Sequence, residues 1–288
     1  MSEGTMRGEG EPGETQVEPA VPHHARRFDD GTDLGGEAPS DVPAASSPAP
    51  RVQSPFSPDE EDLVAPLTLV LVRHGVTEMT TSRRMSGSGV PGPALSGQGR
   101  IQAAKAADLV YGMGRRTWMH LPHVTRLLAS PMVRTQETAA SVGRRIGAHV
   151  ETEARIKEVD FGAWEGLTVA EIIERDGDAI HAWRRAETSA PGGESIAEVG
   201  ARGYAVVEEL AREHAHRCMS GRDLPRGVAL VSHAVAIKSI VGVALGMPAA
   251  HWGSIWPSPA STSILQVRAR KDGSIAEQHV LAVGVPVE

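Results

Sequence analysis

Residues 65–78 read APLTLVLVRHGVTE, and the way this stretch ends decides the architecture. Leu67 to Val72 is a short unbroken apolar run with β-branched members, the pattern of a strand covered on both faces of a parallel sheet. It passes directly into Arg73, His74 and Gly75. Two further runs end the same way: VTRLLA stops at Ser130-Pro131 with Arg134 just beyond, and GVALVS leads into His233. Helical segments separate them. Ser96 can cap a helix with Ile101, Ala104, Ala107, Leu109 and Val110 on its apolar side. Pro131 suits the first position of the helix MVRTQETAASVGRRIG, and AVAIKSIVGVALG is stopped by Gly246 and Pro248. Alternating strand, loop and helix define an α/β fold with a mostly parallel central sheet flanked by helices. The stretch from about Glu151 to Arg217 is expected to be mostly helical after a loop at EVDFGAWEG. TSILQVRA and IAEQHVLAV read as closing strands around the turn Lys271-Asp272-Gly273.

The segment before this region has another composition. Of the 288 residues 20 are Pro, and ten of these fall in residues 1–66. Residues 1–64 carry 14 acidic against 4 basic residues within a chain of formal charge −7, so the rest is mildly basic. Low hydrophobicity with many Pro, Gly, Ser and acidic residues cannot bury enough apolar surface to offset chain entropy. Residues 1–64 are therefore expected to be a disordered acidic tail, and 65–288 a catalytic domain. The one cysteine, Cys218, excludes an internal disulfide framework. No apolar run is long enough for a membrane span, and no secretory signal opens the chain. These readings point to the cytoplasm, with no membrane partner.

In an open parallel sheet, ligands bind beyond the carboxyl ends of the strands. Arg73, His74, Arg134 and His233 all lie there. Arginine offers a fixed fork of donors that matches phosphate oxygens, and a neutral histidine can act as a nucleophile at one ring nitrogen while the other donates to a fixed acceptor. Two arginines and two histidines in one pocket favour a phosphoryl dianion.

Four segments in order, LVRHGVTE, SPMVRTQETA, IKEVDFGAWEG and VSHAVAIK, resemble the signatures of the histidine phosphatase superfamily, also called phosphoglycerate mutase-like. The resemblance spans about Leu67 to Val283 and implies a three-layer α/β sandwich. It implies that His74 is the nucleophile that becomes a phosphohistidine, and that Arg73, Arg134 and His233 clamp the phosphoryl oxygens. Thr77 would bind an oxygen through its hydroxyl, and Glu158 would be the proton donor. No metal and no cofactor are expected. Because Glu158 has to carry a proton in the first step, an optimum on the acid side of neutrality is expected for poor leaving groups. Ser86-Gly87, ALSGQG, FGAWEG and PGGES resemble the alpha-ribazole phosphatase branch, and Ser86 and Gly87 are expected to line the substrate site. RHGVTEMTTSRRMSG and VSHAVAIKSIV also resemble the acid phosphatase half of actinobacterial proteins that carry a ribonuclease H domain ahead of it. Two positions depart from the pattern: Thr80, where asparagine is common, and Ala234, where glycine follows the histidine.

The resemblance implies a phosphomonoesterase acting on a small phosphorylated metabolite. The alternatives are phosphoglycerate mutase-type transfer, or a member that binds phosphorylated ligands or a partner without turnover. Arg115-Arg116, Arg144-Arg145 and Arg184-Arg185 read as solvated helix faces, and a mildly basic domain without interleaved aromatics is a poor nucleic-acid footprint. His214, His216 and Cys218 alternate by two, which does not bring three ligands to one helix face. His251 and Trp252 could line the pocket. The sequence leaves room for a homodimer.

Overall fold

Apolar runs bounded by polar strand ends become the centre of one sheet. The structure, a computed structural model, describes residues 62–287; the expected tail of residues 1–64 lies outside them except at its very end. There Leu63 and Val64 are buried, and Val64 donates its N–H to Ala269 O at 3.0 Å, so the folded body reaches back past Ala65.

The elements are β1 (Leu67–Arg73), α1 (Glu78–Thr81), α2 (Gly97–Gly112), β2 (Val124–Ala129), α3 (Val133–Ile146), β3 (Val150–Thr152), α4 (Val169–Asp176), α5 (Ala179–Arg184), α6 (Ile196–Met219), β4 (Arg226–Ser232), α7 (Ala234–Ala244), β5 (Thr262–Ala269) and β6 (Ile275–Val285). The sheet order is β3-β2-β4-β1-β5-β6. The first four strands run parallel, and β5 and β6 are antiparallel additions at one edge.

Alternation along β1 explains the layers. Leu67, Leu69 and Leu71 pack with Val207, Leu210, Ile237 and Ile240 of α6 and α7. Val70 and Val72, on the other face, pack with Ala106, Val110, Ala139 and Val142 of α2 and α3. The expected three-layer α/β sandwich is what the chain forms. A third apolar cluster around Trp164 and Trp183 joins α4 and α5 to the first turn of α7.

Two local expectations change. The helix after β2 begins at Val133, with Met132 in extended backbone as its N-cap, so Pro131 precedes the helix instead of opening it. The stretch beginning at Glu151 opens as an edge strand, β3, paired with β2.

Candidate active site

Strand register sets the site. Arg73 of β1 lies opposite Ser232 of β4, so His74 and His233 leave the sheet side by side, their rings meeting edge to face with centroids 5.1 Å apart. On the far side of β4, β2 pairs Ala129 with Val231 and delivers Ser130, whose Oγ lies 2.8 Å from His233 Nε2. The turn from β1 into α1 packs directly on α2: a Cβ on Gly75 would strike Gly99 O, so the two backbone segments approach as only glycine permits.

His74 Nδ1 lies 2.7 Å from Gly75 O. A carbonyl can only accept, so Nδ1 carries the hydrogen and Nε2 keeps its lone pair. Burial, reinforced by the Arg134 and Arg73 guanidiniums, pushes His74 well below the ordinary histidine range. Burial, with Arg134, His74 and Arg73, does the same to His233. Both rings are therefore neutral at neutral pH. Ser130 Oγ also accepts from Met132 N–H at 3.4 Å, and either it or His233 Nε2 can be the donor between them.

The arginines are held from behind. Arg134, 1% exposed, donates through Nη2 to Ser86 O at 2.9 Å and Gly87 O at 3.0 Å. Arg73 donates through Nη1 to Pro257 O at 2.9 Å. Their remaining buried donors, Arg73 Nε, Arg134 Nε and Arg134 Nη1, and also His233 Nδ1, have no partner among the described residues. A buried polar group without a partner costs about 1–3 kcal/mol, and such groups on side chains whose charges act on one another suit an anion with several oxygens. Gly92, with φ +79°, lets its loop pass over Arg134 Nη1 where a Cβ would collide.

Glu158, 6% exposed, faces the start of α7. Its Oε1 accepts from Val159 N–H at 3.0 Å and Ala236 N–H at 3.3 Å, and its Oε2 from Val235 N–H at 3.3 Å. Arg202 of α6 fixes the loop by donating to the carbonyls of Arg155, Lys157 and Glu158 at 2.7, 2.8 and 3.0 Å. Its guanidinium also pairs with Glu194 at 2.8 Å.

Other expected residues are placed differently. Thr77 is fully buried, and its hydroxyl is engaged in a capping box with Thr80, accepting from Thr80 N–H at 3.2 Å. It caps α1, and Thr80 takes the reciprocal half by accepting from Thr77 N–H at 3.3 Å. Ser86 and Gly87 meet Arg134 through their carbonyls, and Gly87 N–H donates to both Glu165 oxygens at 3.1 and 2.9 Å. Trp252 is a core residue beneath α7, its Nε1–H donating to Met247 O at 2.9 Å, and His251 is exposed; neither forms the expected pocket wall. His214 lies inside α6 with Nε2 2.8 Å from Ala65 O, while burial pushes the Cys218 thiol up to about 11. Among the described residues no cluster of His, Cys, Asp or Glu could hold a metal ion, and no helix is long and apolar enough to cross a membrane.

Ser130, Arg202 and Glu165 were not singled out as site residues from sequence. The signal for Ser130 and Glu165 was their place inside the quoted motifs, whereas Arg202 lies in none of them.

Residues 69–276 match the histidine phosphatase superfamily (branch 1). The chain is 35% identical over 189 residues to the glucosyl-3-phosphoglycerate phosphatase of Mycobacterium tuberculosis, covering 65% of this chain and 79% of that protein. It is 28% identical over 206 residues to phosphoserine phosphatase 1 of Hydrogenobacter thermophilus, covering 71% and 88%. The solved native structure of mycobacterial glucosyl-3-phosphoglycerate phosphatase superposes with a TM-score of 0.65 at 30% identity, over 76% of this chain and 99% of that one. A match across most of the folded body, with phosphatases as its relatives, accounts for the motif order and the strand-end geometry together: the chain belongs to the histidine phosphatase superfamily and is a phosphatase-type hydrolase.

Proposed function

We propose that the chain hydrolyses the phosphate monoester of a small metabolite through a phosphohistidine on His74, with no metal. The observation that carries this reading is the set of buried arginine donors, Arg73 Nε, Arg134 Nε and Arg134 Nη1, that together with His233 Nδ1 have no partner among the described residues. They supply the preorganised donors that phosphoryl transfer chiefly needs. His74 Nε2 attacks phosphorus in line, forming the N–P bond as the ester O–P bond breaks. Glu158 gives its proton to the departing oxygen. Oε1 already accepts two N–H groups and Oε2 one, so Oε2 is the oxygen with room for that proton. In the second step the Glu158 carboxylate takes a proton from water, whose oxygen attacks phosphorus and releases His74.

The relatives' names include phosphate esters of glyceric acid and of serine, which supports such compounds as candidate substrates. Placement in the alpha-ribazole phosphatase branch or beside the acid phosphatase half of the ribonuclease H proteins, and action in the cytoplasm, belong to the same proposal.

Rapid quench during para-nitrophenyl phosphate turnover tests it. The expected result is an acid-labile phosphate on His74, absent from His74→Ala. Turnover by the wild type with His74 unlabelled would overturn the mechanism. Transfer between hydroxyls dependent on a bisphosphate primer would replace hydrolysis by mutase chemistry, and no release from a broad ester panel would favour a binding role.

A further inference from the structure

Arg202 stands between Gly200 and Gly203 on α6, where a Cβ at Gly200 would strike the Trp252 ring and one at Gly203 would crowd Ile240 of α7. Glycine at these positions lets α6 lie close against α7, and from there the Arg202 side chain reaches the loop that carries Glu158. Its guanidinium has five N–H donors, and each has an acceptor. Nη1 donates to Arg155 O and Lys157 O at 2.7 and 2.8 Å, Nη2 to Glu158 O at 3.0 Å and Glu194 Oε2 at 2.9 Å, and Nε to Glu194 Oε1 at 2.8 Å. The carbonyl left out, Ile156 O, accepts from Ser232 Oγ at 2.7 Å. Successive carbonyls of the Glu158 loop are thus all held, by α6 and by the residue before His233. Glu194 closes the clamp: its Oε2 also accepts from Asp160 N–H at 2.9 Å, and its own N–H donates to Asp160 O at 2.8 Å. Gly193 packs on Asp160 O, and Gly162 on Pro191 O, so closely that a Cβ would collide, which leaves the two loops no slack.

Arg73 and Arg134 keep buried donors without a partner among the described residues, as groups that receive an anion do. Arg202 keeps none, and Glu194 answers its charge, so it has nothing to offer a phosphoryl group. What it governs is the place of the Glu158 carboxyl. The N–H groups of Ala236 and Val235 at the start of α7 meet that carboxyl at 3.3 Å each, long for hydrogen bonds to a charged group. Its shortest contact, Val159 N–H at 3.0 Å, belongs to its own loop. The anchorage of the loop therefore sets where the carboxyl stands. We propose that Arg202, held by Glu194, is the positioning residue of the proton donor: it sets the reach of Glu158 to the leaving oxygen without touching substrate. This inference rests on the role given to Glu158 in the hydrolysis proposed above. A misplacement of about 1 Å in a reacting group can cost about 10²-fold in rate, which is the size of effect at stake.

The test compares para-nitrophenyl phosphate with benzyl phosphate, esters of similar shape whose leaving groups differ in their need for a proton. A nitrophenolate departs as an anion, whereas a benzyl alkoxide has to be protonated. Arg202→Met should lower kcat/KM about 10²-fold on benzyl phosphate and by a clearly smaller factor on para-nitrophenyl phosphate. Arg202→Lys keeps the charge beside Glu194 but lacks the fork that spans several carbonyls, so it should recover only part of the loss. Glu194→Gln should show the same bias in milder form. In a Glu158→Gln background, Arg202→Met should add little on benzyl phosphate, because the two residues act as one unit. Equal losses on the two esters, or losses that multiply in the double variant, would overturn the positioning role. If Arg202→Met fails to fold, Arg202→Lys and Glu194→Gln decide the matter by the same ratio. Equal losses on both esters in Glu158→Gln would overturn Glu158 as the donor, and the positioning role with it. Turnover of neither ester by the wild type would instead overturn the hydrolase reading itself.

Discussion

Arg126 and Arg134 stand on one strand-to-helix segment and show what separates a structural arginine from one waiting for a ligand. Arg126, on β2, donates to Glu151 at 2.7 to 3.1 Å and to Glu213 at 2.6 Å, and its hydrogen bonds to Glu151 lead in raising its pKa. Arg134, in the first turn of α3, meets only two carbonyls, and burial lowers its pKa. Both are the same residue type a short distance apart in sequence. Arg126 has carboxylates for its charge, whereas Arg134 keeps buried N–H groups that a phosphoryl oxygen would satisfy.

Arg134→Met should show the largest effect, lowering kcat/KM about 10²- to 10³-fold, the usual consequence of losing one preorganised donor to a developing charge. Inorganic phosphate at about a hundred times its Kd should stabilise the wild type by ~2.7 kcal/mol in thermal unfolding. That stabilisation should vanish in Arg134→Met and survive in Arg126→Met. If both variants kept it, the contrast between the two arginines would be wrong.

The next effect is on stability against pH. His74 and His233 have folded-state pKa values below the unfolded value near 6.5, so below about pH 6.5 the unfolded chain binds protons that the folded one refuses. Stability is fully present above that pH and falls as pH drops, by up to about 1.4 kcal/mol per pH unit for each ring. Urea unfolding between pH 7.5 and pH 5 should show this slope, reduced in His233→Gln. A flat profile would mean that the rings are not held neutral.

Smaller again is Glu165, whose carboxylate anchors the Gly87 peptide that in turn receives Arg134. Glu165→Ala should lower kcat/KM about tenfold, mostly through KM, the cost of one charged hydrogen-bond partner. Glu165→Gln, which can still accept from Gly87 N–H, should recover part of the loss. Arg126→Met should be the mildest, destabilising by about 1 kcal/mol or less as expected for an exposed ion-pair network, with kcat/KM unchanged.

Much of the centre was readable in advance. β1 and β4 are short, largely apolar runs that end in polar residues, β2 closes on the apolar Leu-Leu-Ala before Ser130, and Ser96 caps α2 as expected, its hydroxyl accepting from Gly99 N–H at 3.0 Å. β3 escaped because its three residues, Val-Glu-Thr, lie at a sheet edge with the last two exposed, which leaves no apolar alternation to read. Thr77 shows a role the sequence reading did not weigh, because a threonine hydroxyl suits a ligand and a helix cap equally well, and only the fold shows that Thr80 N–H reaches it. Glu165, Ser130 and Arg202 went unassigned for a related reason. The two charged ones act on backbone N–H and carbonyl groups, and Ser130 acts on a histidine from another strand.

The sequence by itself determined which groups stand at the strand ends: two arginines and two histidines immediately after apolar runs, with a glutamate in a separate loop. Tertiary structure alone decided their state. The His74 tautomer depends on one carbonyl, the neutrality of both rings on desolvation and neighbouring guanidiniums, and the free donors of Arg134 on which carbonyls the 86–87 turn presents. A residue's type travels with the chain, but its proton and its unmet hydrogen bonds depend on what folding places around it.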